Sequence, residues 1–209
     1  MAKVAINGMG RIGRAALRII MDTPVLDLVA VNDLMSLDNL VYLLRYDTVY
    51  GRYSKPVSAA GGNLVVDGKE IKFFSEKDPA KLPWSELDID VVFECTGVFT
   101  NKEGLDKHVQ AGAKNVILSA PVKGDDDVPM VVHCVNTPEG ECRIISCASC
   151  TTNCIAPVME ILDRRLGVKK ALMTTIHAYT SSQAIVDGPA KKIRRGRAGA
   201  ANFVPTSTG

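Results

Sequence analysis

The sequence predicts an α/β fold with a mostly parallel sheet, and three observations support this prediction. Short apolar runs, such as residues 3–7 and 90–94, alternate with segments that carry apolar residues at helical spacing. A glycine-rich turn directly follows the first apolar run and precedes the first helical segment. The 209 residues are 46% hydrophobic and 23% charged, which is typical of a globular chain. Alternating strands and helices of this length favour parallel strands covered by helices.

The first β-α-β unit ends at Asp33. Residues 3–7 form an apolar run of the kind that becomes a buried parallel strand. Residues 15–20 provide the apolar face of a helix, and a second apolar strand follows over 27–32. Together these segments predict a complete strand-helix-strand unit.

Further elements continue the alternation. Asp67 and Gly68 stand between two apolar runs and predict a hairpin with a tight turn over 64–71. The remaining predictions are helices over 37–44 and 102–111, and strands over 90–94, 115–119, 130–135 and 143–146.

A change of pattern near residue 149 predicts a second domain. Ser149 is a residue type that caps helices, and it precedes a helical apolar stripe over 151–166 that Gly167 closes. Residues 168–178 are predicted to form a long strand, and the chain then becomes loop-like and basic. We therefore assign residues 1–148 to one domain and residues 149–209 to the start of another.

The segment 8–13, Gly-Met-Gly-Arg-Ile-Gly, has the strand-to-helix context of a dinucleotide-binding fingerprint. Gly8 permits a tight turn, Gly10 lets the backbone approach a pyrophosphate, and Gly13 allows close helix-strand packing. Asp33 lies 20 positions after Gly13, where a carboxylate accepts hydrogen bonds from ribose hydroxyls and repels a 2′-phosphate. The alternative is that Asp33 only caps the next helix. The pattern predicts a Rossmann domain that binds NAD.

The composition argues against several other classes of protein. The net charge is +2, so no strong field favours nucleic acid or an anionic membrane. The N-terminus has no long apolar segment, so we expect neither a signal peptide nor a membrane span and expect a cytoplasmic protein. Six cysteines without an export signal indicate reduced thiols. Cys147 and Cys150 have zinc-pair spacing, but no second pair follows, so no metal site is predicted.

The segment around Cys150 is the most informative. A thiol at a helix N-terminus is stabilised as the thiolate, which is the nucleophilic form. The adjacent hydroxyls of Ser149 and Thr151 are suited to holding a phosphate. Cys154 lies one turn further and is expected to face the core, although a Cys150–Cys154 disulfide stays open as a side reaction. The other cysteines are expected to act as small hydrophobic residues: Cys95, Cys134, Cys142 and Cys147.

A nucleophilic thiol requires a base, and the chain has three histidines. His108 lies in a predicted surface helix and His133 in a predicted strand, and neither position indicates chemistry. His177 comes near the end of the predicted strand 168–178, where active-site residues usually emerge. We therefore expect His177 to pair with Cys150 and to carry its proton.

Five segments together resemble the glyceraldehyde-3-phosphate dehydrogenase family. They are Asn-Gly-Met-Gly-Arg-Ile-Gly-Arg at 7–14, Val-Asn-Asp-Leu at 31–34, Ala-Ser-Cys-Thr-Thr-Asn-Cys at 148–154, His-Ala-Tyr-Thr at 177–180 and Pro-Thr-Ser-Thr-Gly at 205–209. They extend over the whole chain in the family's order, and the segment 148–154 is highly specific. Met9 stands where the family usually has Phe; both side chains are bulky and apolar.

The resemblance implies conversion of glyceraldehyde 3-phosphate to 1,3-bisphosphoglycerate with NAD and inorganic phosphate. Cys150 is implied to attack the aldehyde, and His177 to take up the hydroxyl proton as hydride passes to NAD. Inorganic phosphate then cleaves the Cys150 thioester. The Cys150 N–H and the His177 side chain are implied to stabilise the oxyanion. The implied NAD-contacting residues, beside Gly10, are Arg11, Ile12, Asp33, Lys77, Thr96 and Ser119.

The resemblance also implies two phosphate sites and an oligomer. Family members are homotetramers and continue well beyond residue 209, so the second domain is expected to be a truncated α+β catalytic domain. We expect the 209-residue chain alone to bind NAD weakly and to turn over poorly. The residues that match the site for inorganic phosphate are Ser149, Thr151, Thr208 and Gly209, and those that match the substrate-phosphate and anion positions are Thr180 and Arg195.

Two other functions stay open, and a nucleic-acid partner is not expected. An erythrose-4-phosphate dehydrogenase has a similar sequence but hydrolyses its thioester. A non-catalytic module would bind the dinucleotide without forming an acyl-enzyme. The basic run 191–197 resembles a nucleic-acid patch, but it is short and has no interleaved aromatic residues.

Overall fold

A computed structural model of the protein describes residues 1–124 and 127–208. The chain divides into two compact units, Met1–Ala148 and Ser149–Gly209. Strands and helices alternate in the first unit, whereas one long helix dominates the second.

The described part of the first unit contains ten strands and three α-helices. A 3₁₀ turn at Pro79–Lys81 precedes the eighth strand. The helices are α1 (Arg11–Ile20), α2 (Leu37–Arg45) and α3 (Lys102–Gln110). The strands are β1 (Ala2–Asn7), β2 (Leu26–Asn32), β3 (Tyr46–Asp47), β4 (Gly51–Arg52), β5 (Val57–Ala60), β6 (Asn63–Val66), β7 (Lys69–Phe74), β8 (Val91–Glu94), β9 (Asn115–Leu118) and β10 (Ile144–Ser146).

Eight strands form one sheet in the order β10-β9-β8-β1-β2-β7-β6-β5. The six strands from β10 to β7 pair in parallel, and β6 and β5 extend the sheet antiparallel. From β1 the chain continues to β2 on one side, whereas β8 pairs with β1 on the other side. The order of strands therefore reverses between β1 and β8, and open sheets of this type bind ligands at the carboxyl ends of the strands there. The predicted α/β fold with a mostly parallel sheet is confirmed.

Hydrophobic residues cover both faces of the sheet, because neighbouring side chains in a strand point to opposite faces. Val4 and Ile6 of β1 join a cluster with Leu17 of α1 on one face. Ala5 joins a cluster with Leu105 of α3 on the other face. The predicted hairpin is confirmed as β6 and β7, with positive φ angles of 53° at Asp67 and 77° at Gly68 in its turn.

The first and last glycines of the fingerprint allow three backbone segments to approach closely. Gly8 has a φ of 94°, and a Cβ there would lie 2.5 Å from the backbone nitrogen of Thr96. A Cβ on Gly13 would lie 1.9 Å from the carbonyl oxygen of Gly8. Side chains at these positions would therefore push α1 and the segment after β8 away from the end of β1.

The second unit starts with α4, Cys150–Leu166, as the sequence predicts. The Ser149 hydroxyl accepts a hydrogen bond from the Thr152 N–H at 3.0 Å, and Gly167 ends the helix with a φ of 73°. The predicted strand over 168–178 is wrong, because this segment has no strand partner in the described part of the chain. It is largely exposed, and a strand requires ladder hydrogen bonds with a neighbour. A short 3₁₀ helix follows at Ile193–Gly196.

The predicted strand over 130–135 is also wrong. Only Met130 forms an isolated bridge, with Ser146, and the chain then enters a turn. The Asn136 side chain accepts from the Val132 N–H at 2.8 Å and donates to the Met130 carbonyl at 2.9 Å. A local side chain thus takes backbone hydrogen bonds that a neighbouring strand would otherwise supply.

Substitution Gly13→Ala tests the close packing of α1 on β1. Alanine favours a helix interior by about 1 kcal/mol over glycine, but the clash with the Gly8 carbonyl is expected to cost more. We expect a net loss of about 2 kcal/mol in the free energy of unfolding, measured with chemical denaturant.

Gly10→Ala is the matched control, because a Cβ at position 10 meets nothing within 4 Å. Equal stability of the two variants would contradict the packing explanation.

Candidate functional site

The carboxyl end of β1 meets the N-terminus of α1 at Gly10, the N-cap residue of that helix. No side chain caps this end, and the first turn of α1 contains no acidic residue. The N–H groups and the positive end of the helix dipole are therefore suited to an anion. A Cβ on Gly10 would point into open space, so contacts within the protein do not explain the glycine. A ligand that approaches the backbone closely, such as a pyrophosphate, does explain it.

Asp33 follows β2 at the same edge of the sheet. Its two oxygen atoms accept hydrogen bonds from the Met9 N–H at 2.5 Å and from the Met35 N–H at 2.8 Å. The cap of α2 is Ser36, whose hydroxyl accepts from the Asn39 N–H, so Asp33 does not serve as that cap. Asp33 is partly exposed, and its carboxylate has lone pairs left for an external hydroxyl.

The other candidate cofactor residues lie around the same edge. Thr96 and Ser119 follow β8 and β9, and Lys77 follows β7 and is exposed. Parallel strands end at one edge of a sheet, so the fold places these positions along the edge at which Asp33 lies. Ile12, in the first turn of α1, is 53% exposed.

Arg11 is held by a contact that the sequence did not indicate. Its guanidinium forms an ion pair with Asp47 and lies 4.9 Å from the centre of the Tyr50 ring. Burial alone raises the pKa of the Asp47 carboxyl, but N–H bonds from Tyr50 and Val49 and the charge of Arg11 outweigh this effect. They hold the pKa of Asp47 at about 2.

In the second unit, Cys150 and His177 form a direct pair. Cys150 is the first residue of α4, and its Sγ lies 3.2 Å from Nε2 of His177. Nδ1 of His177 lies 2.6 Å from the Ala178 carbonyl oxygen, which only accepts, so Nδ1 carries a hydrogen. This hydrogen bond turns Nε2 towards the sulfur. Both side chains belong to exposed residues and are open to solvent.

The pair shifts both ionisation equilibria in favour of thiolate and imidazolium. Partial burial raises the pKa of the Cys150 thiol, but the hydrogen bond and charge of His177, with bonds from Thr151, outweigh it and lower the pKa. The Ala178 carbonyl, followed by the Cys150 sulfur, raises the pKa of His177. A thiolate beside an imidazolium is an activated nucleophile next to a proton carrier.

Hydroxyl groups surround the start of α4. Oγ1 of Thr208 donates to Oγ1 of Thr151 at 2.6 Å, and the hydroxyls of Ser149 and Thr152 lie 2.7 Å apart. The structure thus brings together three of the four residues predicted to bind inorganic phosphate. The fourth, Gly209, lies outside the described residues.

A second cluster of polar side chains lies around Thr180 in the same unit. The Thr180 N–H donates to the side-chain oxygen of Gln183 at 2.9 Å, and its hydroxyl lies 3.2 Å from that of Ser182. Arg195 donates to the Ser182 hydroxyl at 3.4 Å, which links the two predicted anion-binding residues. Ser182 and Gln183 were not predicted as members of this site, although their proximity to Thr180 in the chain was a usable signal.

Four expectations about cysteines and histidines are wrong. Cys154 and Cys134 are exposed, so neither acts as a buried hydrophobic residue. His133 lies in a turn and is exposed, whereas His108 is fully buried and contacts Glu94. The signal for His108 was its spacing of three and four residues from Leu105 and Gly104, which are the other buried residues of α3.

No helix in the described part of the chain has the length and hydropathy needed to cross a bilayer. Within residues 1–124 and 127–208, no group of three or more His, Cys, Asp or Glu side chains is arranged to hold a metal ion. All six cysteines lie in these ranges and are thiols.

Together, a parallel sheet with a fingerprint glycine turn and a thiolate-imidazole pair define a Rossmann-type nucleotide-binding protein with a candidate covalent centre. Two family models match the chain. Residues 2–102 match "Glyceraldehyde 3-phosphate dehydrogenase, NAD binding domain", and residues 149–209 match "Glyceraldehyde 3-phosphate dehydrogenase, C-terminal domain". The chain belongs to the glyceraldehyde-3-phosphate dehydrogenase family, and its first unit carries the family's NAD-binding Rossmann domain.

Individual relatives agree with this assignment. The glyceraldehyde-3-phosphate dehydrogenase of Clostridium pasteurianum is 51% identical over 213 residues, which cover 100% of this chain and 63% of the relative. The Thermotoga maritima enzyme is 49% identical over 212 residues, with the same two coverages. The cytosolic enzyme of Trypanosoma brucei brucei is 48% identical over 210 residues, covering 99% of this chain and 62% of the relative. The chain therefore spans slightly less than two thirds of the length of these relatives.

Alkylation of Cys150 as a function of pH tests the thiol-imidazole pair. Iodoacetamide reacts with the thiolate, and an ordinary thiol has a pKa of about 8.5. Because the pKa of Cys150 is lowered, Cys150 should still be labelled at a pH where an ordinary thiol no longer reacts. His177→Asn removes the imidazolium and should move the labelling midpoint to higher pH. Peptide mass spectrometry provides the rates, and the exposed Cys154 provides an internal reference.

His133→Asn is the control for loss of an exposed histidine, and it should leave the Cys150 profile unchanged. An identical midpoint in wild type and His177→Asn would exclude activation by His177.

Proposed function

We propose that this protein oxidises and phosphorylates glyceraldehyde 3-phosphate to 1,3-bisphosphoglycerate with NAD and inorganic phosphate. The observation that carries the proposal is the 3.2 Å contact between Cys150 Sγ and His177 Nε2 at the start of α4. It supplies a nucleophile and a proton acceptor in a chain of the corresponding family. Matched relatives along the whole chain are named glyceraldehyde-3-phosphate dehydrogenase.

Cys150 and His177 carry the covalent chemistry in this proposal. The Cys150 thiolate adds to the aldehyde carbon, and the His177 imidazolium protonates the resulting alkoxide to give a thiohemiacetal. The neutral imidazole then takes this hydroxyl proton back when the carbon loses its hydride. A bound NAD would supply the hydride acceptor, and loss of the hydride from this carbon would leave an acyl thioester on Cys150. A phosphate oxygen then attacks the thioester carbon, and the sulfur leaves as thiolate. The Cys150 N–H and His177 stabilise the oxyanion that forms at each addition.

The first unit would hold the dinucleotide. The N–H groups at the start of α1, beside Gly10, would bind the pyrophosphate, and Asp33 would accept hydrogen bonds from the adenosine ribose hydroxyls. Domain bounds of 1–148 for cofactor binding and 149–209 for the start of the catalytic domain are part of the proposal. The other residues proposed to line the cofactor site are Arg11, Ile12, Lys77, Thr96 and Ser119.

The second unit would bind the two phosphates at two different clusters of polar residues. Ser149, Thr151 and Thr208 would bind inorganic phosphate at the helix N-terminus, together with Gly209. Thr180 and Arg195 would bind the substrate phosphate. A homotetramer in the cytoplasm completes the proposal, which the family assignment supports.

Two alternatives have less support. An erythrose-4-phosphate dehydrogenase is not favoured, because relatives that are 51% and 50% identical to this chain are named glyceraldehyde-3-phosphate dehydrogenase. A non-catalytic dinucleotide-binding module would not require the activated pair of Cys150 and His177.

An acyl-enzyme trapping experiment tests the proposal. Incubation with glyceraldehyde 3-phosphate and NAD, without inorganic phosphate, should leave a thioester on Cys150 that intact-mass and peptide mass spectrometry detect. Phosphate should then discharge it as the acyl phosphate. Cys150→Ser should remove the adduct and Cys154→Ser should retain it.

A folded protein that binds NAD but shows no adduct on Cys150 would support the non-catalytic module. Rapid discharge by water with erythrose 4-phosphate as substrate would instead support the rival dehydrogenase.

Asp33→Asn tests the assignment of the ribose-binding carboxylate. Loss of charged hydrogen bonds should weaken NAD binding by about tenfold. Asparagine does not repel a 2′-phosphate, so the NADP dissociation constant divided by the NAD dissociation constant should fall. Calorimetry measures both constants. Asp38→Asn removes one negative charge from the exposed first turn of α2, so it controls for net charge and should leave the ratio unchanged.

A further inference from the structure

A fully buried carboxylate lies at the end of β8, beside the strand reversal. The side chain of Glu94 has an exposed fraction of 0%. It belongs to none of the sequence motifs, and the proposed chemistry does not use it. Burial of a carboxylate is unfavourable unless hydrogen bonds replace its hydration, so its donors are informative.

Glu94 accepts hydrogen bonds on two opposite sides. Oε1 accepts from the backbone N–H of Thr96 at 2.7 Å and from the Thr96 hydroxyl. Oε2 accepts from Nδ2 of Asn7 at 2.6 Å and from Nε2 of His108 at 3.0 Å. One oxygen therefore holds the segment that follows β8, and the other faces the core.

The two core donors are fixed in orientation. Nε1 of Trp84, which only donates, lies 3.0 Å from Nδ1 of His108; Nδ1 therefore accepts and Nε2 carries the hydrogen. Oδ1 of Asn7 accepts from the Asn32 side chain at 2.7 Å, and Asn32 in turn accepts from the Glu76 N–H at 2.8 Å. Neither Asn7 nor His108 can reverse to present an acceptor to Glu94.

Glu94 thereby controls the segment 95–98. The Thr96 hydroxyl donates to Glu94 and accepts from the Val98 N–H at 3.0 Å, which closes a small turn. The nitrogen and Cα of Thr96 would lie 2.5 and 2.8 Å from a Cβ on Gly8, so this turn packs directly on the fingerprint glycine. The position of the turn therefore sets the shape of the sheet edge where the carboxyl ends of β1 and β8 lie side by side.

We propose that Glu94 is a positioning residue for dinucleotide binding, because it holds the turn 95–98 against Gly8 in the form that accepts NAD. Glu94 acts through Thr96 and does not itself touch the cofactor. This inference rests on the proposed NAD site and identifies the buried group that keeps it in shape.

Glu94→Gln tests the proposal with little change in side-chain size. A glutamine amide has one donor end, which must oppose either the Thr96 N–H or the core donors. We expect the NAD dissociation constant, measured by calorimetry, to rise at least about tenfold. Hydrogen exchange at the Thr96 amide should become faster, while amides in the centre of β1 stay protected.

Val92→Ala is the matched control, because Val92 is buried in the same strand and does not belong to the network. It should lower the melting temperature but leave the NAD dissociation constant within about twofold of wild type. This comparison separates a positioning role from a general loss of stability.

The possible outcomes distinguish the two proposals. Wild type that fails to bind NAD overturns the cofactor site and this inference together. Wild type that binds NAD, with Glu94→Gln binding equally well and its Thr96 amide still protected, overturns the positioning role alone. If Glu94→Gln does not fold, Glu94→Asp keeps the charge but is too short to reach both sides. Unchanged NAD affinity in Glu94→Asp would also overturn the positioning role.

Discussion

The approach of three backbone segments at Gly8 is the constraint on which the first unit depends. The end of β1, the start of α1 and the segment after β8 come so close that a Cβ on Gly8 or Gly13 would overlap backbone atoms. Close approach brings the N-terminus of α1 to the carboxyl edge of the parallel strands. Fixed dipoles and N–H groups at that edge then need no rearrangement to receive an anion. Gly10 differs from Gly8 and Gly13, because a Cβ on Gly10 would meet no protein atom within 4 Å.

In the second unit, few contacts hold Cys150 and His177 together. The start of α4 provides the helix dipole, Ser149 fixes the first turn, and one carbonyl, that of Ala178, orients His177. Both members of the sulfur-imidazole pair are exposed in the part of the chain that the structure describes. Its geometry comes from two local interactions, a helix cap and a hydrogen bond between neighbouring residues. Short stretches of sequence are enough to specify interactions of this kind.

This difference explains which features could be predicted. The glycine turn, the 67–68 hairpin and α4 with its cap depend on neighbouring residues, and all were predicted correctly. The strands proposed over 130–135 and 168–178 required a distant partner, which an apolar run cannot specify. The buried face of α4 was also misjudged: Cys154 is exposed, and Val158 and Leu166 of the predicted apolar stripe are 49% and 78% exposed. Glu94 and His108 were missed because they are 14 residues apart and meet only when β8 and α3 pack together.

Trp84, the only tryptophan of the chain, is fully buried and donates its indole hydrogen to His108. Its emission therefore comes from one site in one environment, without a contribution from surface indoles. An apolar, water-excluded surrounding shifts such emission towards the blue and shields it from quenchers in solution. The molecule thus contains an optical probe of its own core, beside α3 and two hydrogen bonds away from Glu94.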